Sequence, residues 1–156
     1  MNEKEMFLGT RKHEFETSAR VLQAYPEDKA DMRPAEKSRT AKELVGALAM
    51  EEGAIMQFIK NGRVDMSGGS MPKPASMADA IKLWQKSVSE NNQAIEKLSD
   101  TDFNKNVDFF GTSMPLNKVL WTILMDHIHH RGQFSVYLRI AGGKVPPIYG
   151  PTADYP

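Results

Sequence analysis

The sequence predicts an all-α protein: a four-helix bundle with a short extended segment before its last helix and an irregular, proline-rich C-terminal tail. Three observations predict this class. Four stretches carry apolar residues at helical spacing, segments bearing proline and glycine separate them, and no internal repeat or low-complexity run interrupts the series. A chain of 156 residues is of single-domain size and can bury a hydrophobic core without disulfides, so residues 1–156 are expected to form one domain.

The first stretch, residues 3–24, sets Leu8, Phe15, Ala19 and Leu22 on one stripe, with His13 roughly opposite and therefore solvated. Pro26 and the charged run from Glu27 to Arg33 close it and lead to Pro34. The second stretch, residues 40–60, aligns Leu44, Ala47, Leu48, Ile55, Phe58 and Ile59, and Asn61-Gly62 is a good stop. A loop with Gly68-Gly69, Pro72 and Pro74 follows. Ser76, with Asp79 three residues on, resembles a capping box for a third helix striped by Met77, Ala80, Ile81, Trp84, Val88, Ile95 and Leu98.

Between Asp102 and Gly111 the helical period fails. Phe103, Val107 and Phe109 recur there at even spacing, as on a short strand or irregular hairpin. Pro115 suits the first turn of the last helix, whose apolar positions Leu116, Val119, Leu120, Ile123, Phe134 and Leu138 run to Gly142-Gly143. The segment from Lys144 to Pro151 is too proline-rich for a helix or central strand. It reads as an ordered tail packed over the bundle or over a partner subunit.

Charge and composition exclude several functions. The 20 basic and 20 acidic side chains cancel, so no basic field gathers nucleic acid or anionic lipid, and neither partner is expected. The absence of cysteine removes disulfides, thiolate ligands and a cysteine nucleophile, so any thiol chemistry needs an external thiol. The charged start, Met1 to Glu5, leads straight into a helical pattern, and no apolar run approaches a signal core or membrane span. A cytoplasmic location is the expectation.

The informative residues are polar ones on faces that should be apolar. On the last helix His127 lies within about 20° of the stripe direction and His130 within about 40°, while Asp126 sits at its edge, roughly 80° away, and His129 points mostly outward. Asp126 and His130, one turn apart, have the separation at which two side chains of one helix chelate one ion. On the second helix Glu51 lies near the stripe centre and Glu52 toward its edge. A buried Glu51 needs a cation, a proton or a hydrogen-bond partner. An ion pair with Arg131 or Arg139 would satisfy it as well as ligation would, and inward histidines are often core residues. Asn91, on the apolar face of the third helix, reads as a buried amide bonded to backbone. Tyr137 and Tyr149 fit a place at the border of the cavity, and packing explains them equally well.

The run Asp126-His127-Ile128-His129-His130-Arg131-Gly132-Gln133, continuing through Phe134 to Arg139, then Gly142-Gly143-Lys144-Val145-Pro146 and Tyr149 to Asp154, resembles the C-terminal signature of DinB/YfiT-like proteins. The resemblance implies an up-down-down-up four-helix bundle, often a homodimer, holding a divalent metal by one histidine of the second helix and two of the fourth. Position by position, those ligands fall at about Ala47 and at Asp126 and His130, so only His130 keeps the usual identity. Alanine cannot ligate. The expected site is therefore a carboxylate-rich replacement formed by Glu51, Asp126 and His130, with His127 in reserve, binding zinc, nickel, manganese or iron if it binds metal at all.

The resemblance implies a metal-dependent hydrolase or a thiol-dependent transferase, the latter using a low-molecular-weight thiol, with His127 or His129 as general base or supporting partner. The alternative is a non-catalytic, dimeric ligand-binding or stress-associated protein with a degenerate site. In a third, structural reading, Glu51 and Asp126 pair with Arg131 and Arg139 and no ion binds.

Overall fold

The computed structural model describes residues 2–65, 67 and 72–156. Along them run α1 (Glu3–Gln23), a single 3-10 turn (Glu27–Lys29), α2 (Ala41–Asn61), α3 (Met77–Glu96), the short α4 (Asp100–Asn104), strands β1 (Asn106–Phe109) and β2 (Thr112–Pro115), and α5 (Leu116–Ile140). The protein is thus mostly helical, with one small antiparallel hairpin. The Gly68-Gly69 step lies outside the described residues.

Local chemistry fixes the helix ends. Asn2 with Glu5 and Thr40 with Glu43 form reciprocal capping boxes at the starts of α1 and α2, which satisfy backbone donors that a helix leaves open. Ser76 caps α3 through Asp79 N at 3.0 Å, and a residue from the preceding connection completes that start. The Glu27 carboxylate accepts from Met77 N at 2.9 Å and from Ala78 N at 3.1 Å. A carboxylate at a helix N-terminus also meets the positive end of the helix dipole.

The core lies between α1, α2, α3 and α5, with α2 packed most extensively on α3. Phe7, Leu22, Leu48, Ile55, Phe58, Trp84, Ile95, Leu116, Phe134 and Leu138 are almost fully enclosed. Each such side chain stabilises the fold by about 1.5–3 kcal/mol relative to exposure. The stripes on α2, α3 and α5 match the sequence pattern, and His13 is exposed. On α1 the buried face is wider than the stripe: it takes in Phe7 and Val21 and also the charged Arg11 and Glu14.

Two local expectations are corrected. Phe103 belongs to the single turn α4, not to an extended strand, and only Val107 and Phe109 share a face of the hairpin. Pro115 ends β2 and is at the same time the N-cap of α5, one position before the first helical turn, while Leu116 N donates to Lys105 O at 2.8 Å. Register pairs Asn106 with Pro115 and Phe109 with Thr112.

The segment after α5 has defined contacts. Val145 is buried, its N donates to Asp154 Oδ2 at 2.9 Å, and Thr152 Oγ1 donates back to Val145 O at 2.7 Å. Arg139 Nε donates to the same Asp154 oxygen at 3.0 Å. The backbone N–H of Val145 and the Arg139 guanidinium hold the Asp154 carboxyl below its usual range.

Candidate metal centre

α2 and α5 bring Glu51, Asp126 and His130 together: one potential ligand atom from each lies within 4.8 Å of the others. His130 Nδ1 is 3.0 Å from Glu51 Oε1 and 3.7 Å from Asp126 Oδ2. Glu51 and His130 are largely enclosed, whereas Asp126 is exposed. Despite their closeness, the first two are not aligned as hydrogen-bonding partners. Glu51 Oε2 and His130 Nδ1 are both buried without a hydrogen bond among the described residues.

The environment pulls the two groups in the same direction. Burial pushes the Glu51 carboxyl above its ordinary pKa, against the favourable imidazole beside it. The adjacent Glu51 carboxylate raises the His130 imidazole, overcoming the opposing effect of burial. The arrangement is two carboxylates and an imidazole converging on one point, with no lysine or arginine paired to them among the described residues.

The arginines are engaged elsewhere, which corrects the arginine pairing of the structural alternative. Arg131 pairs with Glu14 of α1 at 2.7 Å and Arg139 with Asp154 at 3.0 Å. Neither reaches Glu51 or Asp126.

The order of burial on α2 is also the reverse of the expectation. Glu52 is only 2 % exposed, in an ion pair with Arg11, and accepts from Asn91 Nδ2 at 2.7 Å, whereas Glu51 is only partly buried. Asn91 Nδ2 also donates to Glu52 O at 2.7 Å, in line with the expected backbone bond. The apolar stripe of α2 meets two different neighbours, so one stripe direction did not rank the two glutamates.

His127 is not part of the cluster. Its ring stacks within 10° of parallel on Phe15, 4.3 Å between centroids, and on Trp84 at 5.7 Å, and its Nε2 lies 2.7 Å from Ser18 Oγ. Burial, then the charges of Arg131, Arg11 and His130, lower its pKa to about 3. His129 is exposed, its Nε2 3.0 Å from Gln133 Nε2. Ala47, one turn before Glu51, is buried and carries no ligand atom.

Beside the cluster opens a pocket of about 510 Å³, walled by α2, α5 and the hairpin, whose lining includes Glu51, Asp126 and His129. Tyr137 and Tyr149 do not line it: their hydroxyls bond to Arg39 O at 3.0 Å and to Glu14 Oε2 at 2.8 Å.

A helical bundle with a carboxylate–imidazole cluster between its second and last long helices, beside an open cavity, defines the class. The chain belongs to the DinB family, whose model matches residues 1–156. Among curated proteins it is 31% identical to the uncharacterized protein YrdA of Bacillus subtilis (strain 168) over 84 residues, 53% of this chain and about half (50%) of YrdA. It is 28% identical over 127 residues to YjoA of the same organism, covering 78% of this chain and 80% of YjoA. Its fold is similar to the crystal structure of a DinB-like protein from Bacillus cereus ATCC 10987, with a TM-score of 0.81 and 25% identity over 93% of this chain and 97% of that one. The crystal structure of YjoA has a TM-score of 0.77 at 21% identity, with the same coverage, and speaks for the fold alone.

Proposed function

We propose that Glu51, Asp126 and His130 hold a divalent metal ion and that the protein is a metal-dependent member of its family, acting as a hydrolase or as a transferase that uses a low-molecular-weight thiol. The observation that carries this reading is a pair of buried atoms without a hydrogen bond among the described residues, Glu51 Oε2 and His130 Nδ1, in a cluster to which no lysine or arginine is paired. Leaving such groups unsatisfied costs about 1–3 kcal/mol each, and more for a charge. A cation satisfies both at once. Two carboxylates and one imidazole suit zinc, nickel, manganese or iron.

Once bound, the ion lowers the pKa of a coordinated water or thiol, or polarises an electrophile. Glu51 and His130 would hold it from two helices with Asp126 on the solvent side, and the exposed His129, which lines the pocket, would carry a proton. His127, neutral and enclosed, is left with the role of a core residue. The same reading includes the up-down-down-up helix order, a cytoplasmic location and a homodimer. The exposed α5 residues Val136 and Ile140 supply an apolar surface for the latter.

Ala47 favours a second reading, in which the family pocket persists as a non-catalytic ligand-binding or stress-associated dimer. Elemental analysis of untagged, chelator-free protein separates the two. Near-stoichiometric metal that falls to background in Glu51→Ala and His130→Ala supports the first reading. Absence of metal after repletion supports the second, and retention in Glu51→Ala rejects the ligand set.

A further inference from the structure

At the tip of the hairpin the backbone breaks a local rule. Phe110 has φ 52° and Gly111 φ 86°, so the two-residue loop between Phe109 and Thr112 is a type I′ turn. Glycine tolerates this conformation, and Asp108 Oδ1 supports it by accepting from Gly111 N at 2.6 Å. A bulky aromatic at the first central position does not suit it, since asparagine, aspartate or glycine is the usual occupant. Phe110 is also 64% exposed, so burial does not compensate the strain. Strain at a largely exposed side chain is characteristic of sites kept for a ligand.

Phe110 lines the pocket next to the carboxylate–imidazole cluster. Its ring meets Phe109 edge-on at 4.9 Å and Phe58 at 6.4 Å, which forms an aromatic corner on one side of the cavity. The half-exposed Met50 and Met125 border the same space, with adaptable thioether side chains. The charged groups in the lining, Glu51, Asp65 and Asp126, are carboxylates, and no lysine or arginine is among them. A volume near 510 Å³ and mostly apolar walls carrying a few polar groups are the attributes of a small-molecule site. Its charge works against anions.

We propose that this pocket binds an uncharged aromatic small molecule, its rings against Phe109 and Phe110 and its polar end toward Glu51 and Asp126. Only the chemistry at the polar end rests on the metal reading; the binding itself does not. The acidic lining selects against a negatively charged analogue of the same shape.

The test uses a matched pair of probes on the full chain: neutral N-phenyl-1-naphthylamine and its sulfonated counterpart 1-anilinonaphthalene-8-sulfonate, each titrated by fluorescence into chelator-treated and metal-loaded protein. The neutral probe is expected to saturate at one per chain and to bind at least tenfold more tightly than the sulfonate to the chelated form. Phe110→Asn and Phe110→Gly should weaken it at least fivefold while the thermal midpoint stays level or rises, because both residues suit the turn. Equal affinity for the two probes, unchanged affinity in the variants, or a clear fall in their midpoints would overturn the proposal. So would an altered oligomeric mass in these variants with no probe binding to the wild type, which would assign the aromatic corner to a contact between copies. Metal binding and probe binding fail separately: His130→Ala should lose metal and keep the probe.

Discussion

Arg131 reaches from α5 to Glu14 on α1, Nη1 to Oε2 2.7 Å, in an ion pair from which solvent is almost excluded. Arg131 also donates to Glu14 O at 3.1 Å, and the Tyr149 hydroxyl both accepts from Arg131 Nη2 at 2.6 Å and donates to Glu14 Oε2 at 2.8 Å. The pair joins three parts of the chain that are distant in sequence. Glu14→Ala is expected to destabilise the protein by about 3–5 kcal/mol, because it leaves the Arg131 charge enclosed and uncompensated. Tyr149→Phe, which removes only the hydroxyl, should cost about 1 kcal/mol. Chemical denaturation of both variants checks the ranking, and a Tyr149→Phe loss equal to that of Glu14→Ala contradicts it.

The second enclosed pair, Arg11 with Glu52, is built differently. Arg11 also donates through Nε to Asn92 Oδ1 at 2.7 Å and lies 4.3 Å over the Phe15 ring, yet its Nη1 has no hydrogen-bond partner among the described residues. Glu52→Ala should cost about 3–5 kcal/mol, whereas Arg11→Met combined with Glu52→Met should recover most of that loss. The measurement is a double-mutant cycle by urea unfolding. A double variant no more stable than Glu52→Ala rules the account out.

His127 gives stability a pH dependence whose sign is set by its burial. In the unfolded chain it titrates near 6.5, and in the folded protein near about 3. Its contribution is complete above pH 6.5 and is lost as pH falls toward 3, at up to about 1.4 kcal/mol per pH unit. The groups acting on it are Arg131 and His130 of its own helix and Arg11 of α1, with Ser18, Phe15 and Trp84 in contact. His127→Phe keeps a ring in the stack and removes the titration. Ser18 Oγ also donates to Glu14 O at 2.9 Å, a bond that does not involve His127. Urea midpoints between pH 7.5 and 4.5 should therefore fall less steeply in His127→Phe than in wild type, and parallel curves would refute the assignment.

Gly143 marks a close approach where α5 ends. A Cβ there would lie 2.2 Å from Leu138 Cδ1 and 3.3 Å from Ala24 O. Leu138 is fully buried and has little room to turn aside. Gly143→Ala should cost about 1–3 kcal/mol by overpacking, seen as a lowered thermal midpoint. Gly132→Ala, within α5, meets no atom within 4 Å and serves as the control.

What could be read from the sequence followed from periodicity. The helical stripes with Leu48, Ile55, Trp84, Leu120 and Phe134 were legible, because each helix buries one face and the residues on it recur at 3.6. Glu51, Asp126 and His130 were legible as a group for the same reason, and the structure brings them together. The burial of Arg11, Glu14 and Glu52 was not, since each depends on a partner from another helix that no local pattern reveals. His127 shows the limit from the other side: its inward direction was correct, but direction along α5 does not say whether α1 or α2 lies opposite, and it faces Phe15 and Ser18 of α1. Phe103 was misplaced because even spacing over three aromatic and β-branched residues cannot distinguish a strand from a turn of helix followed by one.

Glu51 and Glu52 are consecutive, yet one turns toward α5 and the other toward Arg11 and Asn91 on α1 and α3. Together they index the rotational phase of α2 from two sides. Deleting one residue between Ala41 and Met50 would turn everything N-terminal to the break by about 100° relative to these two anchors. The helix would then have to choose between keeping its polar registration and keeping Leu44, Val45 and Leu48 in the core. The ligand geometry at Glu51 is thus inherited from packing on the far side of its own helix.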